Sequence, residues 1–295
     1  MDLDSLIIAV FCLVDDTLRR ATPTRLRRRG PRPLLADSEV LTIEVVGEHL
    51  GLDRDSELFA YFRRHYGHFF PRLREVHRTT FARQAANLWK VKEALWQRLL
   101  PEAGGDPRWA MVDSFPLAVC RFGRAPRSRR FRGEAGFGKD HAAKATIYGF
   151  RLHARVCWPG VVTRLSLAPA GAADLALLEE LTEETAGVCL GDRAYWQPEL
   201  AGRLREQGVE MLVPFKKAAS DPAPERSRRI TSIRYRIETV FSQLCERLSM
   251  KRVWARDLWH LSSRLLRKVL AHTLMVALNR AQGNDPLRLA QLLAN

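Results

Sequence analysis

The stretch ITSIRYRIETVFSQLCERL at residues 230–248 predicts one long helix around which the rest of the chain is organised. Its apolar residues recur at helical spacing and form one stripe, about a third of the helix wide. Arg234, Glu238 and Cys245 lie beside that stripe. A carboxylate on the edge of a buried face is well placed to point into a cleft. Taken alone, however, Glu238 fits better with a surface acid that pairs with Arg234 one turn earlier.

The charge balance indicates a polyanionic partner. The 295 residues carry 48 Lys and Arg against 33 Asp and Glu, which gives a net charge of +15 and a pI of about 10.3. Each phosphate that Lys or Arg neutralises releases counterions, so clustered basic residues favour nucleic acid over a small metabolite. With 46% hydrophobic and 27% charged residues the chain is globular, and its length fits one large domain or two ordinary ones.

The cysteine pattern predicts a reducing compartment. None of the five cysteines forms a C-x-x-C pair and each sits in an apolar segment, so we expect small buried hydrophobes rather than a thiolate zinc site. The N-terminus lacks a basic region, and the apolar run at 6–14 is too short to span a bilayer. We therefore expect neither a signal peptide nor a membrane helix, and a cytoplasmic, nucleoid-associated protein.

The first hundred residues predict an all-helical segment. Helical periodicity covers residues 3–19, about 38–50, 55–65 and 78–100, with Asp37 or Ser38 as a helix cap. Short helices separated by basic residues suit a helix-turn-helix-like DNA-binding domain, which we place at residues 1–104. The basic segment at 25–33 fits a solvated linker and a phosphate-binding arm equally well.

One helix of this segment carries side chains that could read bases. Arg83, Gln84 and Asn87 lie near the start of the predicted helix at 78–100. A solvated helix face is the slightly favoured alternative.

A Gly- and Pro-rich boundary at residues 101–107 separates this segment from a second domain, residues 105–295, in which the period changes from helix to strand. Strands are predicted at 109–114, 115–120, 147–158, 161–168, 188–191 and 209–213, and helices at 174–184, 198–207 and 258–280. Basic loops cover residues 121–144 and 216–229. The predicted fold class is α/β, a mixed sheet with helices on its faces.

Two aspartates of this domain lie in or beside apolar strands, where an ionised carboxylate is unfavourable. Asp113 interrupts the apolar run AMVDSF, and Asp192 follows the apolar run VCLG. A carboxylate in or at the end of a buried strand needs a cation, hydrogen bonds or a metal ion to stay ionised. Each aspartate alone fits a structural partner of one of the many arginines.

Together with Glu238, the two aspartates form an all-oxygen ligand set. Such ligands suit Mg²⁺ or Mn²⁺ rather than zinc. At a sheet edge of a very basic protein they suit two metal ions, roughly 4 Å apart, that clamp a phosphodiester for in-line attack. Other acids lie in polar surroundings that predict solvated or capping roles: Glu134, Asp140, Asp174 and Asp257. The histidines show no metal-ligand spacing, and Ser114 lacks the flanking glycines of a nucleophile elbow.

Segments along nearly the whole chain resemble DDE transposases of bacterial insertion sequences, most closely those of insertion-sequence family 982. The segments are ADSEVLTIEVVGEHLGL (36–52), YFRRHY (61–66), RTTFARQAANLW (78–89), MVDSFPLAVC (111–120), RSRRFRGE (127–134), YGFRLH (148–153), LGDRAY (190–195), RYRIETVFSQL (234–244) and ARDLWHL (255–261). The combination is specific, whereas a single GD-x-x-Y would not be.

The resemblance implies an RNase H-like fold with a mixed five-stranded sheet. It implies catalytic, metal-binding carboxylates at Asp113 on the first strand, Asp192 after the fourth and Glu238 on the following helix, with Mg²⁺ or Mn²⁺ as cofactor. The implied partners are double-stranded DNA and a second copy of the chain. Basic residues of the matching segments and their loops are the predicted DNA contacts: Arg127, Arg129, Arg130, Arg132, Lys144, Arg151 and Arg234.

The chain departs from the family pattern around its glutamate. Related transposases often carry Tyr seven residues before the Glu, Arg four before and Lys seven after. Arg234 fits, but Thr231 and Cys245 stand at the other two places, and Arg247 is a possible substitute on another side of the helix. A nuclease that only hydrolyses DNA and a non-catalytic DNA-binding protein derived from a transposase therefore stay as alternatives.

Overall fold

A computed structural model describes residues 1–21, 31–215 and 221–293, in two compact units. The first unit comprises Met1–Ala103, Leu244–Met250 and Trp254–Asn295, and the second Gly104–Gln243 and Lys251–Val253. The domain division into residues 1–104 and 105–295 stays a prediction, and the structure groups the C-terminal helix with the first unit. The predicted basic arm at 25–33 lies largely outside the described residues.

The regular elements follow the predicted order. The helices of the described residues are α1 (Leu3–Ala21), α2 (Asp37–His49), α3 (Asp55–His65), α4 (Arg78–Asn87), α5 (Trp89–Arg98), α6 (Leu100–Ala103), α7 (Leu178–Thr182), α8 (Pro198–Glu206), α9 (Pro224–Ser242) and α10 (Leu258–Ala281). The strands are β1 (Asp106–Cys120), β2 (Gly136–Asp140), β3 (Ala145–Trp158), β4 (Val161–Pro169), β5 (Gly187–Leu190) and β6 (Val209–Leu212). No helix among these residues is long and apolar enough to cross a membrane.

The first unit is all-helical, as predicted. The prediction of a single helix at 78–100 is wrong, however, because two helices, α4 and α5, cover most of that range. Leu88 ends α4 with a ψ of 11°, and its N–H donates to Ala85 three residues back, which tightens the turn and separates α4 from α5. Gln84 is buried and donates to Leu35 O and Asp37 Oδ1, so it is not on a solvated face. Arg83 and Asn87 are exposed.

A buried ionic network holds the first unit together. Glu48 on α2 accepts from Nε of Arg267 (2.6 Å) and Nζ of Lys268 (2.7 Å) on α10. Glu44, one turn earlier, accepts from Lys92 of α5 (2.7 Å). All five side chains are at most 2% exposed. Because an unpaired charge in such surroundings is strongly destabilising, the network ties α2, α5 and α10 to one arrangement.

We expect Glu48→Ala to destabilise the first unit by about 3–5 kcal/mol, because it removes the carboxylate that two buried cations, Arg267 and Lys268, share. The measurement is urea unfolding of the full chain at neutral pH. Glu75→Ala is the matched control, since Glu75 pairs with Arg72 where both side chains are more than half exposed, and such pairs contribute at most about 1 kcal/mol. Equal effects of the two substitutions would contradict the assignment.

The second unit is built on a mixed sheet in the order β2-β3-β1-β5-β6, with β4 also paired to β3. β1 is antiparallel to β3 and parallel to β5, and β5 is parallel to β6. The predicted fold class, a mixed sheet flanked by helices and preceded by an all-helical region, is confirmed and is consistent with an RNase H-like fold. Strand β2 was not predicted, because it lies within the loop expected at 121–144.

Several predicted boundaries are wrong in the second unit. The two strands expected at 109–120 form one strand, since antiparallel pairing with β3 continues past Pro116. The helix expected at 174–184 is a 3₁₀ turn, Asp174–Leu177, followed by the short α7. α9 begins at Pro224 within the loop expected at 216–229, because proline is favoured at the first helical position. Beyond Ser242 it becomes a π-helical turn, Gln243–Arg247.

Each face of the sheet is covered by helices. On one face, residues of β1, β3, β5 and β6 pack with α7 and α8 around Val112, Leu181, Cys189 and Leu204. On the other face Phe115 of β1 contacts Phe241 of α9 edge-on, with ring centroids 4.8 Å apart. Successive residues of a strand point to opposite faces, so Asp113 lies on the α9 side and Ser114 on the α7 side.

The cysteine prediction is partly confirmed. None of the five cysteines, all of which lie in the described part of the chain, forms a disulfide. Cys157 and Cys189 are buried, and burial raises the pKa of both thiols. Cys12 is exposed, however, because it lies on the outer face of α1, and Cys120 and Cys245 are partly exposed.

Candidate active site

Asp113 lies midway along β1, and Asp192 follows the carboxyl end of the neighbouring parallel strand β5. Met111 of β1 pairs with Leu190, the last residue of β5. Asp113 and Asp192 thus each lie two residues beyond the last paired residues of these two strands. This edge of a parallel pair is where ligands bind in open α/β sheets.

Asp192 is oriented by the turn that follows β5. Its side chain accepts the backbone N–H of Ala194 (2.8 Å) and thereby caps the short 3₁₀ helix Arg193–Tyr195. A Cβ at the preceding Gly191 would lie 2.4 Å from the terminal methyl of Met211 and 3.0 Å from Tyr195 Cβ, so a larger residue there would require these neighbours to shift. The sequence GDRAY therefore turns sharply off the strand and presents its carboxylate at the sheet edge.

Asp113 is a largely buried carboxylate with two hydrogen-bond partners. Its side chain is 21% exposed, Oδ1 accepts the N–H of Ser114 (2.8 Å), and Oδ2 accepts from Nη2 of Arg234 (3.0 Å). Burial raises the pKa of Asp113 above its usual value, the hydrogen bond from Ser114 and the charge of Arg234 oppose that rise, and the negative charge of Asp192 adds to it. The two carboxylates are thus close enough to repel each other.

Arg234 and Glu238 lie one turn apart on α9 but in different surroundings. Arg234 is 12% exposed and points at Asp113. Glu238 is exposed, because its neighbours Ile237 and Val240 are the residues that α9 buries. In the described part of the chain, no three His, Cys, Asp or Glu side chains are placed to hold a metal ion together. The structure therefore brings Asp113, Asp192 and Arg234 together and leaves Glu238 outside this group.

The aspartate pair suits a divalent cation by its chemistry. Carboxylate oxygens are the ligands that Mg²⁺ and Mn²⁺ prefer. A cation between Asp113 and Asp192 would relieve the repulsion that contributes to the raised pKa of Asp113.

The basic residues predicted to contact DNA fall into two groups. Five are exposed in the segment from the end of the 3₁₀ helix Phe122–Arg127 to the turn before β3: Arg127, Arg129, Arg130, Arg132 and Lys144. Arg151 and Arg234 are largely buried, and Arg151 donates to Ser114 Oγ (3.1 Å) and Lys139 O (2.9 Å). Both buried arginines therefore have internal partners, and contact of any of the seven with DNA stays a prediction.

A polar network on the opposite face of β1 was not expected. Ser114 donates to Asp174 Oδ1 (2.8 Å), and Arg151 lies 3.8 Å and His153 3.7 Å from the same oxygen. Asp174 is thus not the solvated or capping residue that its polar surroundings predicted. The strand alternation could have placed Ser114, Arg151 and His153 on one face, but it gives no sign that Asp174 reaches them.

The structure also places Asp257 and the residues at which the chain departs from the family pattern around Glu238. Asp257 caps α10 by accepting the N–H of His260 (2.9 Å), as predicted. Cys245 lies in the π-helical turn. Arg247 is grouped with the first unit, where it donates to Nε2 of His49 (3.5 Å). Thr231 donates to the carbonyl of Ser227 in its own helix (2.9 Å).

His153 is held neutral inside the second unit. Its side chain is fully buried, and neither ring nitrogen has a hydrogen-bond partner among the described residues. Burial lowers the pKa of His153 to about 4, against an opposing effect of Asp174. The unfolded chain binds a proton there near pH 6.5, so this histidine destabilises the fold as the pH falls from about 6.5 to 4.

We expect His153→Leu to flatten the pH dependence of unfolding in that window. The free energy of unfolding of the natural chain should fall with decreasing pH, and the variant should lose up to about 1.4 kcal/mol per pH unit of that slope. Urea unfolding at a series of pH values measures it. Leu152→Met, a volume-conserving change at the preceding position, should keep the slope. An unchanged slope in His153→Leu would show that the ring is protonated in the fold.

The comparisons with known proteins give one match. A family model described as a transposase DDE domain matches residues 104–256. No curated protein and no solved structure matches the chain. The matched segment contains Asp113, Asp192 and Glu238 together with the six strands found among the described residues. Since the match covers just over half of the chain, this protein belongs to the family of transposases with a DDE domain.

Proposed function

We propose that this chain is an active transposase of an insertion sequence related to family 982. It cleaves DNA at the ends of its element and joins the freed 3′-hydroxyl to target DNA. The observation that supports the proposal is that Asp113 and Asp192 each lie two residues beyond the last pair of β1 and β5, where the charge of Asp192 acts on Asp113, in a chain that belongs to a transposase family. Transposase DDE domains generally use divalent metal ions.

In this proposal Asp113 and Asp192 would hold two divalent cations, Mg²⁺ or Mn²⁺, and Glu238, which lies outside the aspartate pair in this structure, would be the third carboxylate ligand. Bound there, the cations supply activation of the attacking oxygen and stabilisation of the leaving oxygen. The charge of Arg234 opposes the rise that burial causes in the pKa of Asp113. Arg234 therefore favours the ionised form of Asp113, which is the form that binds a cation. Glu238 is exposed one turn beyond Arg234, where it is accessible to DNA and cations alike.

The DNA partner is supported by charge as well as by family. The net charge is +15, and the exposed run from Arg127 to Arg132 precedes β2 in the matched domain. These residues bind the phosphate backbone in our proposal. The protein acts as a homodimer or larger assembly, because joining needs two element ends, and it works on the nucleoid in the cytoplasm.

Removal of any of the three carboxylates should abolish catalysis and leave DNA binding intact. We expect Asp113→Asn, Asp192→Asn and Glu238→Gln each to slow cleavage of element-end DNA in Mg²⁺ by at least about 10²-fold, the scale on which one preorganised electrostatic group acts. Gel assays with a plasmid target measure cleavage and joining. Glu225→Gln is the matched control, since Glu225 is an exposed acid in the first turn of the same helix.

The outcomes separate the three candidate activities. Joined products with the natural chain support transposition, and nicked DNA without joined products shows a nuclease. If the natural chain binds DNA but neither cuts nor joins it, the protein is a non-catalytic descendant. Full activity of Glu238→Gln would remove Glu238 from the site while leaving the aspartate pair in place.

Phosphate binding by the exposed arginines should appear in the salt dependence. We expect Arg129→Gln and Arg130→Gln each to lower the slope of log affinity against log salt by about 1 for duplex DNA. Fluorescence anisotropy between low and physiological salt measures the slope. Arg203→Gln is the control, because Arg203 already pairs with Glu179 (2.9 Å). A nearly salt-independent affinity of the natural chain would rule out a phosphate-binding role for these loops.

A further inference from the structure

The hydroxyl of Ser114 is held on the face of β1 opposite to Asp113. It donates to Oδ1 of Asp174 (2.8 Å) and accepts from Nη1 of Arg151 (3.1 Å). These partners belong to the 3₁₀ turn before α7 and to β3, and they lie 60 and 37 residues away in the chain. Hydrogen bonds to ionised groups are roughly twice as strong as those between neutral groups, so this hydroxyl has two strong partners.

The two charged partners of this hydroxyl are themselves held in place. Nη2 of Arg151 donates to the carbonyl of Lys139 on β2 (2.9 Å), and its Nη1 lies 3.8 Å from Oδ1 of Asp174. Both side chains are largely buried, so water competes little for these contacts. The hydroxyl of Ser114 is therefore the point at which β1, β2, β3 and the turn before α7 are joined by polar contacts.

The backbone of Ser114 connects this arrangement to the candidate active site. Its N–H donates to Oδ1 of Asp113 (2.8 Å), while Oδ2 of the same carboxylate accepts from Arg234 (3.0 Å). One oxygen of Asp113 is thus directed by a side chain of α9, and the other by the backbone of a residue whose hydroxyl is held from behind. A carboxylate that binds a metal ion depends on such outer hydrogen bonds for its orientation.

We propose that Asp174 is a positioning residue for Asp113 and acts through Ser114. By holding the hydroxyl of Ser114, Asp174 and Arg151 fix the N–H that directs Oδ1 of Asp113. Loss of this hold lets the carboxylate turn away, which weakens the binding of a divalent cation. The inference rests on the proposed function in that it takes Asp113 as a metal ligand, whereas the orientation of the carboxylate is a property of the metal-free chain.

Two measurements on the full chain test the inference. The protection of the amide at position 114 against hydrogen exchange, followed by NMR without metal, reports its bond to Asp113. Titration with Mn²⁺ in the absence of DNA, followed by electron paramagnetic resonance, reports the affinity of the site. We expect Asp174→Ala and Ser114→Ala each to lower this protection and to weaken Mn²⁺ binding by about 10- to 100-fold, the range for outer partners of metal ligands. Ser114→Thr should keep both values, because it keeps the hydroxyl.

Thr182→Val is the matched control and should leave both values unchanged, since Thr182 is a buried residue of α7 whose hydroxyl donates to the carbonyl of Leu178 (2.8 Å). Unchanged protection in Asp174→Ala and Ser114→Ala, or equal losses in Thr182→Val, would overturn the inference. Unchanged Mn²⁺ affinity would also overturn it if the natural chain binds Mn²⁺ more tightly than Asp113→Asn does. If those two chains bind Mn²⁺ alike, the proposed metal site alone fails, and the protection of the amide decides the inference.

Discussion

The candidate site is centred on one carboxylate whose charged form is disfavoured by burial. Asp113 sits on the central strand of the sheet, flanked by β3 and β5, and its pKa is raised by burial and by the charge of Asp192. The hydrogen bond from Ser114 and the guanidinium of Arg234 oppose that rise. The other residues of the site are placed around this carboxylate. β5 leads into Asp192, whose charge acts on Asp113, and α9 carries Arg234, which donates a hydrogen bond to it.

The two faces of β1 carry different polar groups, because successive side chains of a strand point to opposite faces of the sheet. Asp113 faces α9 and remains partly open, whereas the next residue, Ser114, faces the network of Asp174, Arg151 and His153. In the second network the side chains of Arg151 and Asp174 are 14% and 22% exposed and pair with each other, whereas the ring nitrogens of the buried His153 have no hydrogen-bond partner among the described residues.

The departures from the family pattern do not touch the aspartate pair. Thr231 bonds to its own helix, Cys245 lies in the π-helical turn, and Arg247 contacts His49 in the first unit.

The sequence by itself determined the order of helices and strands, the mixed sheet and the family, because hydrophobic periodicity and short motifs are local properties. Asp113, Asp192 and Arg234 were identifiable since each breaks an apolar pattern or matches a spacing. Only the tertiary structure decided what the side chains contact: that Arg234 pairs with Asp113, that Gln84 is buried, and that Asp174 accepts a hydrogen bond from Ser114. Those contacts join residues far apart in the chain, and pairing across strands and helices is set by packing, which no local pattern contains.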